Sequence, residues 1–139
     1  MYGDAVGGFA PIKDIYKTDV WALSRYRNAL ALERDEVPPI PERSITKEPS
    51  AELRPDQKDS DSLPDYPLLD EVLGAYVDED HGYEALLADG FDPELVRRVI
   101  SLVDKAEYKR RQYPPGTKVS ARAFGKDRRL PMTSRWNER

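Results

Sequence analysis

The run DPELVRRVISLVDKAEYKRRQ, residues 92–112, decides how the rest of the chain is read. Asp92 is a helix-capping residue, and Pro93 stands at the first helical position, where a missing N–H costs nothing. Val96, Val99, Ile100 and Val103 recur at three- and four-residue steps, which places them on one face. Lys105, Lys109, Arg110 and Arg111 crowd the last turns, where the helix dipole favours cations, before YPPG (113–116) ends the run. The spacing predicts one continuous helix from Asp92 to Arg111, about five turns long.

Upstream, YEALLADG (83–90) reads as a short helix closed by Gly90 just past its end. From Tyr66 another helix carries Leu69, Val72, Leu73 and Tyr76 as a stripe. KTDVWALSRYRNALALERDE (17–36) offers Thr18 as an N-cap and Val20, Leu23, Ala29 and Leu30 near helical spacing, until VPPIP (37–41) stops it. Pro41 can start a single turn, PERSI. The opening YGDAVGGFAPIKD has three glycines and a proline by residue 11 and must be a loop. Downstream, 117–136 has no sustained period and reads as an extended tail that packs by Phe124, Leu130 and Trp136.

No strand is convincing, so the expectation is a mainly α chain of amphipathic helices joined by long irregular connections. Apolar stripes need a surface to bury against. Either the helices pack on one another, or they cover a sheet that this chain does not contain, and the second is the preferred reading.

Composition narrows the function. The 139 residues are 39% hydrophobic and 35% charged, so the core is thin. There is no Cys, which removes disulfides, thiolate nucleophiles and Cys-based zinc sites together and fits a cytosolic origin. No apolar run approaches a membrane span, and the first residues lack the basic-then-apolar order of a signal peptide, so a soluble, unprocessed protein is expected. The net charge of −4 hides an asymmetry: residues 105–139 carry eleven Lys and Arg against three acids, leaving eleven bases against 23 acids for residues 1–104. Such a basic end can hold phosphate-bearing ligands or RNA, or pair with the acidic part of its own or another subunit.

The stretch KEPSAELRPDQKDSDSLPDYPLLD (47–70) is too polar to be core and too particular to be filler. It is a linker or a loop shaped around a ligand. Only Leu53 and Leu63 are available for burial across residues 49–65, too little to offset the ordering of that backbone, so the loop is expected to be mobile without a ligand.

Four segments in order, YGDAVGGFAPIKDIYKTDVW (2–21), IPERSITKEPSAELRPDQKDSDSLPDYPLLD (40–70), EYKRRQYPPGTKVSARAFGKDRRLP (107–131) and the closing RW (135–136), resemble the C-terminal part of NAD synthetase, in its bacterial glutamine-dependent form. The resemblance implies a ligase that adenylates the nicotinate carboxylate of deamido-NAD with ATP and lets ammonia, derived from glutamine, displace AMP. It implies a doubly wound α/β domain of the ATP-pyrophosphatase type, working as a homodimer with magnesium, and makes this chain its helical C-terminal portion. Residues 49–65 then become a mobile acidic lid and 113–139 an extended basic tail. The family's SGGxDS pyrophosphate loop, its TGNKSE segment with the magnesium-holding acid, and its glutaminase domain have no counterpart in this sequence. Met1 directly precedes YGD, so the chain reads as a truncated or split gene product or an expressed fragment, inactive alone and pairing with the remainder of the synthetase.

Family roles carry over only onto matching positions. The resemblance puts Asp4 near the nicotinate and the incoming ammonia, where a carboxylate can hold ammonium and accept its proton. Lys17 would reach the ATP phosphates as a point charge, and Ser50 would offer them a hydroxyl from a loop fixed by Pro49. Lys109 would contact deamido-NAD near the dimer interface. An alternative is a non-catalytic RNA or phosphate binder built on the basic tail, with Tyr108, Tyr113, Phe124 and Trp136 as stacking partners; against it, the remaining acidic chain would repel a polyanion. A subunit-pairing fragment is a further alternative. His81 has no neighbour at metal-ligand spacing, Ser24, Ser44 and Ser60 have no base partner, and Trp21 and Tyr26 read as core or interface aromatics.

Overall fold

A computed structural model describes residues 7–50, 55–61, 63–123 and 125–133. Among them every regular element is helical and none is a strand. The chain divides into two compact units, Tyr16–Leu68 and Met1–Ile15 with Leu69–Arg139.

In the Tyr16–Leu68 unit, α1 spans Lys17–Glu33 and α2 spans Glu42–Thr46. Thr18 is not the cap. Tyr16 holds the N-cap position, because its carbonyl already receives the Val20 N–H at 3.0 Å and so starts the ladder before Thr18. The helix stops where Asp35 turns into the left-handed region at φ 55, which lets the Glu36 N–H return to the Ala31 carbonyl at 2.8 Å. Asn28 then ties the proline-rich segment back to the helix. Its amide nitrogen donates to the Ile40 carbonyl at 2.8 Å, and its oxygen accepts the Ile40 N–H at 3.0 Å. Among the described residues of this unit, Ala31 and Ile45 alone are buried, while Leu23, Tyr26, Leu32 and Val37 are exposed. Leu23 and Tyr26, on one side of α1, therefore find little cover within their own unit.

The second unit holds the core. In chain order it takes in α3 (Tyr66–Leu73) from Leu69 onward, then α4 Tyr83–Ala88, α5 Pro93–Lys105 and α6 Glu107–Arg110. A π-helical turn, Gly74–Asp78, follows α3. Its extra residue shifts the helical phase: Val77 joins Leu69, Val72 and Tyr76 inside, and Leu73 is left half-buried. Gly90 takes φ 95 directly after α4, as its position past the helix end predicts. At the start of α5, the Asp92 carboxylate accepts the Leu95 N–H at 2.9 Å, and Val96, Val99, Ile100 and Val103 are all buried as expected.

The expected continuous helix from Asp92 to Arg111 is broken at Ala106. Its N–H is shared between the Leu102 and Val103 carbonyls, tightening the last turn of α5. The Arg110 guanidinium also donates to the Val103 carbonyl, at 2.5 Å. The restart at α6 turns Glu107 inward, where it is 4% exposed and accepts from Arg110 at 2.8 Å and Arg111 at 2.8 Å. Among the tail residues named above, Leu130 is half-buried and its carbonyl receives Arg111 Nη2 at 3.0 Å; Phe124 and Trp136 lie outside the described residues.

Residues far apart in sequence close this unit. Lys13 Nζ donates to the Pro114 carbonyl at 2.7 Å, and Thr117 Oγ1 to the Pro11 carbonyl at 2.6 Å. The Asp14 carboxylate collects the Val119 N–H at 2.8 Å, the Ser120 N–H at 3.0 Å and the Ser120 hydroxyl at 2.8 Å. Gly116 makes the approach possible: a Cβ there would stand 2.2 Å from the Ala10 carbonyl oxygen. Tyr76, Asp104 and Arg128 form a second tie. The phenol donates to Asp104 at 3.0 Å, and the Arg128 guanidinium lies 4.0 Å from the ring centroid and 3.2 Å from the same carboxylate. Burial pushes the Tyr76 phenol well above its usual range, so it stays a donor.

Candidate functional site

The Tyr16–Leu68 unit contains an open groove of about 510 Å³. Helix α1 supplies Trp21 and Arg25, four residues apart and hence on one face. The segment leaving α2 supplies Lys47, Glu48 and Pro49, and the far wall comes from Asp59, Ser60 and Tyr66. Trp21 and Tyr66 meet edge to face, with centroids 5.7 Å apart. Lys17, one turn before Trp21, places its ammonium 5.6 Å from the indole centroid.

The loop between the walls is closed by short-range polar contacts rather than by apolar burial. The Asp59 N–H donates to the Pro49 carbonyl at 3.0 Å, at the start of a 3₁₀ turn, Asp59–Asp61. One oxygen of Glu48 takes the Lys58 ammonium at 2.7 Å, and the other accepts the Ser60 hydroxyl at 2.6 Å. Tyr66 donates its hydroxyl to Asp59 at 2.6 Å.

Lys58 and then Ser60 hold the Glu48 carboxyl below its ordinary value of 4.5. A depressed carboxylate contributes stability above its unfolded value and loses it as pH falls through the lower folded value. Acidification below about pH 4.5 is therefore expected to release Lys58 and Ser60 and loosen the Asp59 contact. In an NMR titration, the Ser60 and Asp59 amide resonances should move together below that pH, and Glu48→Gln should abolish the step; amides that stay still would refute the closure.

Of the four residues singled out by sequence, none lines this groove, but two neighbour its walls. Lys17 stands against Trp21, and Ser50 follows Pro49, both of these neighbours being groove walls. Asp4 lies outside the described residues. Lys109 is an exposed residue of α6, in the other unit. Trp21, Arg25, Lys47 and Tyr66 were not predicted as groove residues. The available signal was the run Lys17, Trp21, Arg25 at four-residue steps, which puts a cation, a ring and a second cation in one line.

Chemically the groove offers cations beside aromatic faces and hydroxyls, a set suited to a planar ring that carries phosphates. Ser24 donates to the Val20 carbonyl at 2.7 Å and Ser60 to Glu48, so neither is poised as a nucleophile. In the second unit, His81 Nδ1 lies 2.7 Å from Asp89. No cluster of three or more His, Cys, Asp or Glu side chains among the described residues could hold a metal ion.

The family described as NAD synthase matches residues 1–113. The glutamine-dependent NAD(+) synthetase of Acinetobacter baylyi is 56% identical over 136 residues, covering 98% of this chain and 24% of that protein. The enzyme of the same name from Aquifex aeolicus is 48% identical over 136 residues, covering 98% and 23%. Among solved structures, the glutamine-dependent NAD+ synthetase of Acinetobacter baumannii in complex with ADP superposes with a TM-score of 0.54 at 46% identity, over 100% of this chain and 23% of that one. The chain spans about a quarter of the length of the relatives it matches.

Proposed function

The chain belongs to the NAD synthase family, and from that premise we propose that it forms the helical C-terminal part of a glutamine-dependent NAD+ synthetase. The activity is the conversion of deamido-NAD to NAD+, by ATP-dependent adenylation of the nicotinate carboxylate and displacement of AMP by ammonia derived from glutamine. The observation that carries this part's share is the groove lined by Trp21, Arg25, Lys47 and Pro49, with the Lys17 ammonium 5.6 Å from the Trp21 ring and Ser50 next to Pro49 in sequence. The Acinetobacter baumannii relative, solved with ADP, supports a nucleotide as the occupant. Lys17 and Ser50 bind the ATP phosphates, with Arg25 and Lys47 as further cations. Residues 49–65 act as a lid over them. Asp4 holds ammonium and accepts its proton, freeing ammonia for attack, and Lys109 contacts deamido-NAD.

The exposed Leu23 and Tyr26, three residues apart on one side of α1, are the face that covers the parallel sheet of a doubly wound α/β domain. The whole enzyme works as a homodimer. Magnesium accompanies ATP in such chemistry, and the described residues hold no cluster fit for it. The comparisons favour this reading over nucleic-acid binding by the basic tail.

The test uses the full-length protein. Lys17→Ala and Ser50→Ala should each lower kcat/KM for ATP by roughly 5- to 100-fold, the effect of losing a charge-assisted bond worth on the order of 1–3 kcal/mol. Asp4→Asn should lower kcat for amide formation and leave the KM for ATP near its original value. Unchanged kinetics in all three variants would sink these assignments.

A further inference from the structure

The second unit contains a hollow of about 400 Å³ built from none of the groove's residues. Lys13, Arg110, Arg111, Lys126 and Arg129 line it together with Tyr113. We propose that this hollow binds a polyphosphate group of the size of inorganic pyrophosphate.

The fold gathers these cations by specific ties. Lys13 is drawn in by its bond to the Pro114 carbonyl. Arg110 and Arg111 are aimed by their shared carboxylate, Glu107, after the break at Ala106. Lys126 and Arg129 sit on one turn, with the Lys126 N–H bonded to the Ala123 carbonyl at 3.0 Å and Arg129 Nε bonded to the Lys126 carbonyl at 3.0 Å.

The charges do not balance. Glu107 offsets one of the two α6 arginines, and no carboxylate among the described residues pairs with Lys13, Lys126 or Arg129. The only partner of the Lys13 ammonium there is an uncharged carbonyl. An excess of about four positive charges around one small hollow is self-repelling, and each close pair costs about 1 kcal/mol even in water. A dense anion relieves all of these repulsions at once.

Arg110 is 9% exposed at its side chain, and a weakly hydrated guanidinium fork suits phosphate oxygens better than it suits bulk water. Orthophosphate would satisfy too few of the five. Two linked phosphates match the charge excess. The adenylation proposed above releases pyrophosphate, and a nucleoside triphosphate carries the same group; the binding itself does not depend on that reaction.

Calorimetric titration of pyrophosphate into the full-length protein tests the site. The double variant Lys126→Ala/Arg129→Ala removes two exposed cations at little risk to the fold and should weaken binding at least about tenfold. Arg122→Ala, whose guanidinium faces Asp80 and not the hollow, should change nothing. Lys17→Ala weakens any pyrophosphate binding at the groove and should leave the hollow's own binding in place, still sensitive to Lys126→Ala/Arg129→Ala, which separates this site from the groove. In that Lys17→Ala background, displacement of pyrophosphate by ATP would identify a nucleotide tail as the occupant, and failure of ATP to displace it would identify free pyrophosphate. Absence of binding, or equal affinity in the double variant, overturns the proposal, as does an affinity lost with Lys17→Ala instead.

Discussion

Glu107→Ala is expected to destabilise the protein by roughly 3–5 kcal/mol, the usual result of removing one partner from a buried ion pair. Glu107 is 4% exposed and accepts from Arg110 and Arg111 together. Without it, the Arg110 guanidinium is a buried charge beside the Val103 carbonyl, and the joint between α5 and α6 loses what holds it shut. The pH dependence has a definite sign. Burial alone would raise this carboxyl, but the bonds from Arg111 and Arg110 outweigh it and hold the group below its ordinary value of 4.5. Its contribution is therefore present above about pH 4.5 and is lost as pH falls through the lower folded value. Urea midpoints of the wild type should drop below that pH more steeply than those of Glu107→Gln. Equal slopes, or an alanine variant with an unchanged midpoint, would show that the pair is not what closes the joint.

Ile100→Ala is expected to cost roughly 2–5 kcal/mol. Ile100 is fully buried beside Val96, Val99 and Val103, so truncation leaves a cavity that two helices can only partly collapse. For a domain with a total stability of about 5–15 kcal/mol, that is a large share. Val119→Ala, at a side chain 61% exposed, is the matched control and should stay within about 0.5 kcal/mol of wild type. Similar midpoints for the two would mean that the core has been misplaced.

The legible parts of the fold were those written in neighbouring residues. Asp92, Pro93 and four apolar positions at helical steps define α5 without help from any distant contact, and Gly90 marks the end of α4 in the same local way. The break at Ala106 was not legible, since every residue of 104–110 tolerates a helix. It arises from where the Arg110 and Glu107 side chains go after packing. Thr18 is a good cap by type, but a ladder that starts at Tyr16 overrode it.

The site divides along similar lines. Lys17, Trp21 and Arg25 share a face by spacing alone, and that much could be read from the chain. Lys17 and Ser50 acquired roles only through resemblance to a family, since a lysine and a serine in isolation specify no ligand. The groove itself joins α1 to residues 47–67, and no periodicity links those two stretches. The cationic hollow is less legible still, because Lys13 and Lys126 stand over a hundred positions apart.

That separation governs the order of assembly. The ties from Pro11, Lys13 and Asp14 to the 114–120 segment join residues 101 to 106 positions apart. Bringing such distant points together costs on the order of 4 kcal/mol in chain entropy, whereas a helical turn forms from residues already adjacent. Helices α3 to α6 can therefore appear within microseconds, with the long closure following as a slower step. During synthesis, once residue 100 has been released α1 to α4 have been made, yet the strip around Lys13 still has no counterpart. For that interval the early strip stays open to proteases and chaperones, and it is sealed only when the late segment emerges.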